Sequence, residues 1–298
     1  MNITIKTCVI GSYPVLTDTM ELMYGYFNGE EISWDKYIQC AVSDMVNAGL
    51  DIVSDGQTRD PFIQIFTRKL TGCRIRARTE IVDKVEYNAP ITIEDQKYVR
   101  NLIPNDKGLT GVITGPYTLS KSCIDLYYKD EKDLAFDFAH ALKQEAKVLQ
   151  KHVDMISIDE PFFSNEIPDY GKELIEIITK DIYCPTRLHA CGNVSNVIPE
   201  LLEIPVDIFS HEFKASPQIF DVFKEYVFHQ KICLGSVRSD NTRVESVEEI
   251  MEHTKKGMEI FGEKIVQLAP DCGQRLLPRD VAFQKLKNLV EVGEKING

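Results

Sequence analysis

Residues 187 to 196 read RLHACGNVSN and place His189 and Cys191 two apart, beside a glycine. In an extended segment that spacing turns both side chains to one face, where an imidazole and a thiol can grip the same ion. Taken alone, the pair has an ordinary reading as a buried histidine and an inert core cysteine. Other groups of the same kind lie elsewhere: Cys272 in PDCG, Glu212 beside His211 in HEF, and Asp159 with Glu160 in IDEP. Imidazole and thiolate are preferred ligands of zinc, and carboxylate oxygen is an acceptable fourth. His189, Cys191, Glu212 and Cys272 therefore form a candidate tetrahedral Zn2+ site. His211 competes with Glu212, but successive strand residues face opposite ways and Glu212 shares the face of Ser210, which favours Glu212. A set this rich in sulfur is softer than the His and carboxylate sets that activate water, and so suits a thiol substrate.

These residues acquire a common location once the surrounding elements are considered. Eight runs rich in Val, Ile or Leu end in small or polar residues: IKTCVIGS, GLDIVSD, GLTGVITG, VDMISID, CPTRLHAC, VDIFSHE, KICLGSV and IVQLAPDCG. Helical patterns separate several of them. One begins near Trp34 and stops at Gly49, another follows Asp130, a third spans Val247 to Gly262, and the last covers Val281 to Val292. The alternation predicts an α/β fold, a (β/α)8 TIM barrel forming one domain over residues 1 to 298. Residues 73 to 92, CRIRARTEIVDKVEYNAPIT, alternate like a hairpin inserted after the second strand and helix unit, and residues 13 to 33 form a long link after the first strand. Active sites of such barrels lie at the C-terminal ends of the strands. Those ends carry Ser12, Asp55 with Gln57, Thr114, Asp159 with Glu160, His189 with Cys191, Glu212, Asp240 just beyond the seventh run, and Cys272.

Composition narrows the partners. With 43% apolar and 27% charged residues the chain is of globular type, and its net charge of −12 repels a polyanion, so neither nucleic acid nor an anionic membrane is an expected partner. The opening MNITIKTCVIGSYP has no apolar run of signal-peptide length, and no stretch is long enough to cross a membrane, so a cytoplasmic location is expected. The eight cysteines are scattered, unlike those of a secreted disulfide scaffold.

The motifs IGSYP, SDGQTRD, TGPYTLS, IDEP, HAC, HEF, RVESVEEI and PDCG follow one another along nearly the whole chain. In this order they resemble the catalytic barrel of cobalamin-independent methionine synthases, in particular the short archaeal-type members that consist of that barrel alone. The resemblance implies zinc ligands at His189, Cys191, Glu212 and Cys272, and homocysteine contacts at Ile10, Ser12 and Asp159, with Glu160 assisting or holding the loop. A Ser12 hydroxyl suits a carboxylate and Asp159 an ammonium. Gln57 stands where folate-dependent members have Glu, which removes one charge from the ammonium pocket. Asp240 stands where they have a proton-donating His and is the candidate catalytic group. Ser122 replaces their folate-stacking Trp, and Val85 with Glu86 replaces an Arg-Cys pair.

The resemblance therefore implies a methyltransferase of methionine biosynthesis. Its donor would be a methylated corrinoid such as methylcobalamin, carried on a separate corrinoid protein, and its acceptor the thiol of homocysteine. Three rivals remain. Coenzyme M or another small thiol would replace homocysteine, with Arg59, Lys121 or Arg238 as the nearby cations by sequence. A zinc hydrolase would favour more His and carboxylate ligands. A zinc-stabilised adaptor would bind the corrinoid protein without catalysis.

Overall fold

A computed structural model describes residues 4–15, 33–59 and 62–298, so most of the expected link at 13 to 33 lies outside the described residues. The ring of strands comprises β1 (Lys6–Thr7), β2 (Ile52–Val53), β5 (Gly108–Thr114), β7 (Met155–Asp159), β8 (Thr186–His189), β9 (Ile208–His211), β10 (Lys231–Val237) and β11 (Ile265–Pro270). They run in the order β1-β11-β10-β9-β8-β7-β5-β2, each pair parallel, and a parallel bridge between Cys8 and Ile52 joins the two outer strands. This is the (β/α)8 TIM barrel that the alternation predicts, and each of the eight runs supplies one strand. Parallel strands packed on both faces must be apolar throughout, and that is why the runs are continuous in Val, Ile and Leu.

The helices between them form where capping and periodicity agree. Helix α1 (Asp35–Ala48) buries Ile38, Ala41, Val42 and Met45 and ends at Gly49, whose φ of 95° is left-handed. After α2 (Phe62–Thr67), α3 (Ile93–Leu102) and α4 (Pro116–Ser122) comes α5 (Glu131–Leu149), capped by Asp130, whose carboxylate accepts from the Lys132 N–H at 2.9 Å. Four further helices follow: α6 (Gly171–Thr179), α7 (Ile198–Leu201), α8 (Gln218–Phe223) and α9 (Val247–Phe261), the last opened by a reciprocal Ser246–Glu249 capping box. The terminal α10 (Arg279–Asn297) extends past the expected segment at both ends. It closes the ring: the Arg279 guanidinium grips both oxygens of Asp44 in α1 at 2.6 and 2.8 Å, and Asn297 bonds both backbone groups of Ile5.

The inserted hairpin is present as β3 (Cys73–Ile75) and β4 (Thr79–Ile81), antiparallel, with a short third strand, β6 (Ile124–Asp125), alongside β4. Its return to the barrel is pinned by Glu145 of α5. This fully buried carboxylate accepts from the Ile91 and Thr92 N–H groups, the Thr92 hydroxyl and the Tyr87 hydroxyl.

Inside the ring, Cys8, Ile10, Ile52, Met155, Ile208, Cys233 and Ala269 form a compact apolar layer. A charged side chain enters it. Arg187 of β8 is completely buried and bonds Ser157 Oγ, the Val9 and Ile10 carbonyls and Gln267 Oε1. Outside the ring, α8 and α9 pack Phe220, Phe223 and Phe261 around Phe213. His253 joins this cluster, with its ring 5.4 Å from Phe220 and its Nε2 donating to the Gly235 carbonyl at 2.8 Å. Burial pushes His253 down to about 4.

Because an unfolded histidine titrates near ~6.5, the unfolded chain binds a proton between that value and about 4 that the folded chain refuses. The stability that neutral His253 contributes is therefore present above pH ~6.5 and is lost as the pH falls through that window. Between pH 7 and 5, the loss in urea-derived unfolding free energy should exceed that of His253→Gln by about 2 kcal/mol. Equal losses in the two proteins would contradict this account of the histidine.

Candidate active site

At the C-terminal ends of the strands a cavity of about 470 Å³ opens, lined by Ile10, Ser12, Gln57, Asp159, His189, Cys191 and Cys272 together with Phe62, Pro161, Ser239, Gly273, Arg275 and Leu276. The ends of β7 and β8 place Asp159 and His189 side by side, since these residues are register partners. His189 Nε2 lies 3.1 Å from Cys191 Sγ, and Cys191 Sγ lies 2.9 Å from Cys272 Sγ, too far for a disulfide of ~2.05 Å. One ligand atom from each of the three falls within 4.8 Å of the other two.

The chemistry of this trio fits a soft divalent cation. His189 Nδ1 is 3.1 Å from the Ser210 carbonyl. A carbonyl only accepts, so Nδ1 carries the proton and the Nε2 lone pair faces the sulfurs. Burial, reinforced by the charges of Arg187 and His211, holds the imidazole well below its usual pKa and therefore neutral. The adjacent Cys272 sulfur, followed by burial, pushes the Cys191 thiol well above its ordinary range, so two thiolates can coexist there only with a cation between them.

Cys272 is fixed by its neighbour strand. The Ser239 hydroxyl, just beyond β10, donates to the Cys272 carbonyl at 2.7 Å and accepts from its N–H at 3.1 Å. The preceding Asp271 ties this end to the loop after β9 by accepting from the Lys214 and Ala215 N–H groups at 3.0 and 2.7 Å. Gly273 has no side chain because Ser12 stands directly against it, where any Cβ would collide with the hydroxyl.

The remaining expected residues divide into those that reach the cavity and those that do not. Ile10, Ser12, Gln57 and Asp159 line it. Gln57 adopts a φ of 45°, a conformation uncommon without glycine, and is held by Asp55 Oδ1 on its N–H and Arg275 Nη1 on its carbonyl, each at 2.9 Å. Asp159 is partly open to the cavity; its enclosing walls push it up to about 7, against the opposing pull of Arg187 and a hydrogen bond from Ser157.

Three further expected residues make contacts of their own around the strand mouths. Glu212 does face away from the core while His211 packs among Phe209, Phe213 and Phe223, as alternation requires. Its carboxylate, however, is bonded by the Gly192 N–H and is not one of the three clustered ligands. Glu160, expected to assist at the substrate or to hold the loop, is fully buried: it accepts from the Tyr117 and Thr118 N–H groups and the Thr118 hydroxyl, so it anchors the start of α4. Asp240 is exposed and gripped by Arg238 at 2.8 and 2.5 Å, an ion pair that lowers its pKa and makes it a poor proton donor.

The cations expected for a sulfonate are likewise engaged away from the cavity, Arg59 with Asp95, Lys121 with Glu131 and Arg238 with Asp240. The basic residue that does line the cavity, Arg275, carries no signal in the sequence beyond its place two residues after PDCG. Phe62 and Ser239 were equally invisible, since one lies in a helix and the other in a loop of unremarkable composition.

Comparison with known proteins agrees with this geometry. Residues 5–295 match the family described as cobalamin-independent synthase, catalytic domain. The methionine synthase of Methanocaldococcus jannaschii is 37% identical over 314 aligned positions, covering 97% of this chain and 99% of that protein. The methionine synthase of Methanothermobacter thermautotrophicus is 37% identical over 305, covering 95% and 98%. In fold, the chain is similar to the B12-independent methionine synthase from Shewanella sp. W3-18-1 in complex with selenomethionine, with a TM-score of 0.83 at 24% identity over 99% of this chain and 98% of that one. A methyltransferase from Methanosarcina mazei also shares the fold, with a TM-score of 0.70 at 17% identity over 99% and 95%. A cavity floored by His189, Cys191 and Cys272 and a family match across almost the whole barrel lead to one assignment: the chain belongs to the cobalamin-independent methionine synthase family.

Proposed function

We propose that this protein is a zinc-dependent methyltransferase that moves a methyl group to the thiol of homocysteine, giving methionine. The observation that carries the reading is the convergence of His189 Nε2, Cys191 Sγ and Cys272 Sγ at the floor of a cavity that also exposes Ser12 and Asp159. A zinc ion held by His189, Cys191 and Cys272, with Glu212 nearby as a further oxygen donor, would lower the pKa of a substrate thiol, which otherwise titrates near ~8.5 and is a poor nucleophile at neutral pH.

The chain's own groups do the rest. Ser210 holds His189 in the tautomer that offers Nε2, and Ser239 holds the backbone that carries Cys272. Ser12 and Asp159 offer a hydrogen-bond donor and an anion to the carboxylate and ammonium of an amino acid. Gln57, held by Arg275, shapes the same wall without adding a second negative charge. Ile10, Phe62 and Pro161 keep water from the reacting sulfur. Asp240, paired with Arg238, takes no part in proton transfer on this reading.

For the donor we infer a methylated corrinoid, methylcobalamin on a separate corrinoid protein, in preference to methyltetrahydrofolate. Support comes from the positions where the folate-dependent pattern has an aromatic platform and an Arg-Cys pair. Ser122 ends α4 with its carbonyl bonded to Arg78, Val85 is buried, and Glu86 pairs with Lys84 on the surface; none of the three lines the cavity.

Two measurements test these assignments. In competition with a chromophoric chelator, the protein should take up one zinc, and Cys272→Ser should weaken uptake by at least about tenfold; uptake unaffected by that change would remove Cys272 from the site. Methionine formation should be followed by mass spectrometry with homocysteine or coenzyme M as acceptor and methylcobalamin or methyltetrahydrofolate as donor. Product is expected from methylcobalamin and homocysteine, and chelation should abolish it with the melting temperature little changed. Turnover only with methyltetrahydrofolate would reverse the donor assignment, and a chelated protein that unfolds would point to structural zinc.

A further inference from the structure

Beneath the cavity floor lies a chain of groups that methyl transfer itself does not require. Arg187 precedes His189 by two residues in β8 and is fully buried, as is Ser157 of β7. Arg187 Nε donates to Ser157 Oγ at 3.2 Å, and Ser157 Oγ lies 3.0 Å from Asp159 Oδ1. A guanidinium has no acceptor atom, so the serine oxygen can only use a lone pair toward Arg187. Its single proton is then left for Asp159 Oδ1. The guanidinium cannot turn aside to relax this arrangement, because Nη2 is committed to the Val9 and Ile10 carbonyls at 3.2 and 3.1 Å and Nη1 to Gln267 Oε1 at 3.3 Å.

We propose that Ser157 and Arg187 are positioning residues that hold Asp159 as a hydrogen-bonded carboxylate facing the cavity, so that the site selects thiols bearing an ammonium group over thiols that lack one. The inference rests on the reading of the cavity as a thiol site. It adds which residues impose the choice of acceptor. A buried arginine also needs partners for stability alone, and that role would not depend on which thiol is bound.

The test compares the zinc-loaded protein and its Ser157→Ala variant for calorimetric binding of homocysteine and of its des-amino analogue, the same thiol acid without the amino group. The parent should prefer homocysteine. In Ser157→Ala that preference should fall by about tenfold, as expected for loss of one hydrogen bond to a charged group, with affinity for the analogue retained. Ser157→Cys, close in shape and a weaker donor, should fall between the two and serves where the alanine variant melts too low. An unchanged preference, or equal weakening of both thiols, overturns the proposal. A parent that binds both thiols equally overturns it while leaving the thiol site standing; a parent that binds neither overturns the proposed function as well.

Discussion

A guanidinium cut off from water at the centre of the barrel constrains everything above it. Placing a charge in a low-dielectric interior costs several kcal/mol unless its hydrogen bonds are met. Arg187 meets them with groups from β7 and β11 and from the residues that continue β1, so three strands other than its own must end at matching heights. Cys8 and Cys233 also touch it. Burial raises both thiols, while contact with Cys8 and the positive charge of Arg187 pull Cys233 back down; the two sulfurs share the guanidinium Nη1 at 3.4 and 3.7 Å. The layer that holds the charge is thus the platform on which the cavity residues stand.

Above that platform, separate clamps join neighbouring strand mouths. Asp271 links the ends of β11 and β9, and Ser239 links β10 to β11. Glu245 accepts from the Arg238 N–H and from buried Lys285 of α10, fixing the loop that contains Ser239 to the outer helical layer. Two of the clamps, Asp271 and Glu245, are buried carboxylates whose loss would leave partners unsatisfied, a larger penalty than the net worth of the bond. Precision at the sulfur atoms follows from this redundancy, since no single loop sets their positions.

Much of the architecture was legible in the sequence because buried parallel strands and capped helices leave strong local patterns. The eight apolar runs, the helix stop at Gly49 and the helix start after Asp130 all behave as local chemistry dictates. Strand alternation likewise separated His211 from Glu212. What stayed hidden depended on distance in space. Glu160 next to Asp159 looks like a second cavity carboxylate, and only the arrival of α4, whose Tyr117 and Thr118 stand 43 and 42 residues earlier, shows its oxygens to be occupied. Asp240 looked available because an ion pair with a residue two positions away leaves no mark in composition. The Gly192 N–H that bonds the Glu212 carboxylate belongs to a turn with a φ of 81°, a contact that no pattern in the sequence announces. The three-strand sheet built with β6 escaped notice because two residues are too few to show a period.

The spacing of the cavity sulfurs along the chain also has a consequence for biosynthesis. Cys191 and Cys272 are 81 residues apart. At a translation rate of about 5–20 residues per second, the His189–Cys191 pair leaves the ribosome roughly 4–16 s before the residue that completes the trio. The last strand and helix must then close the ring before all three donors meet. On the proposed zinc reading, the nascent chain passes through an interval in which it offers a bidentate and exchangeable grip at most, and durable capture of an ion would mark finished synthesis.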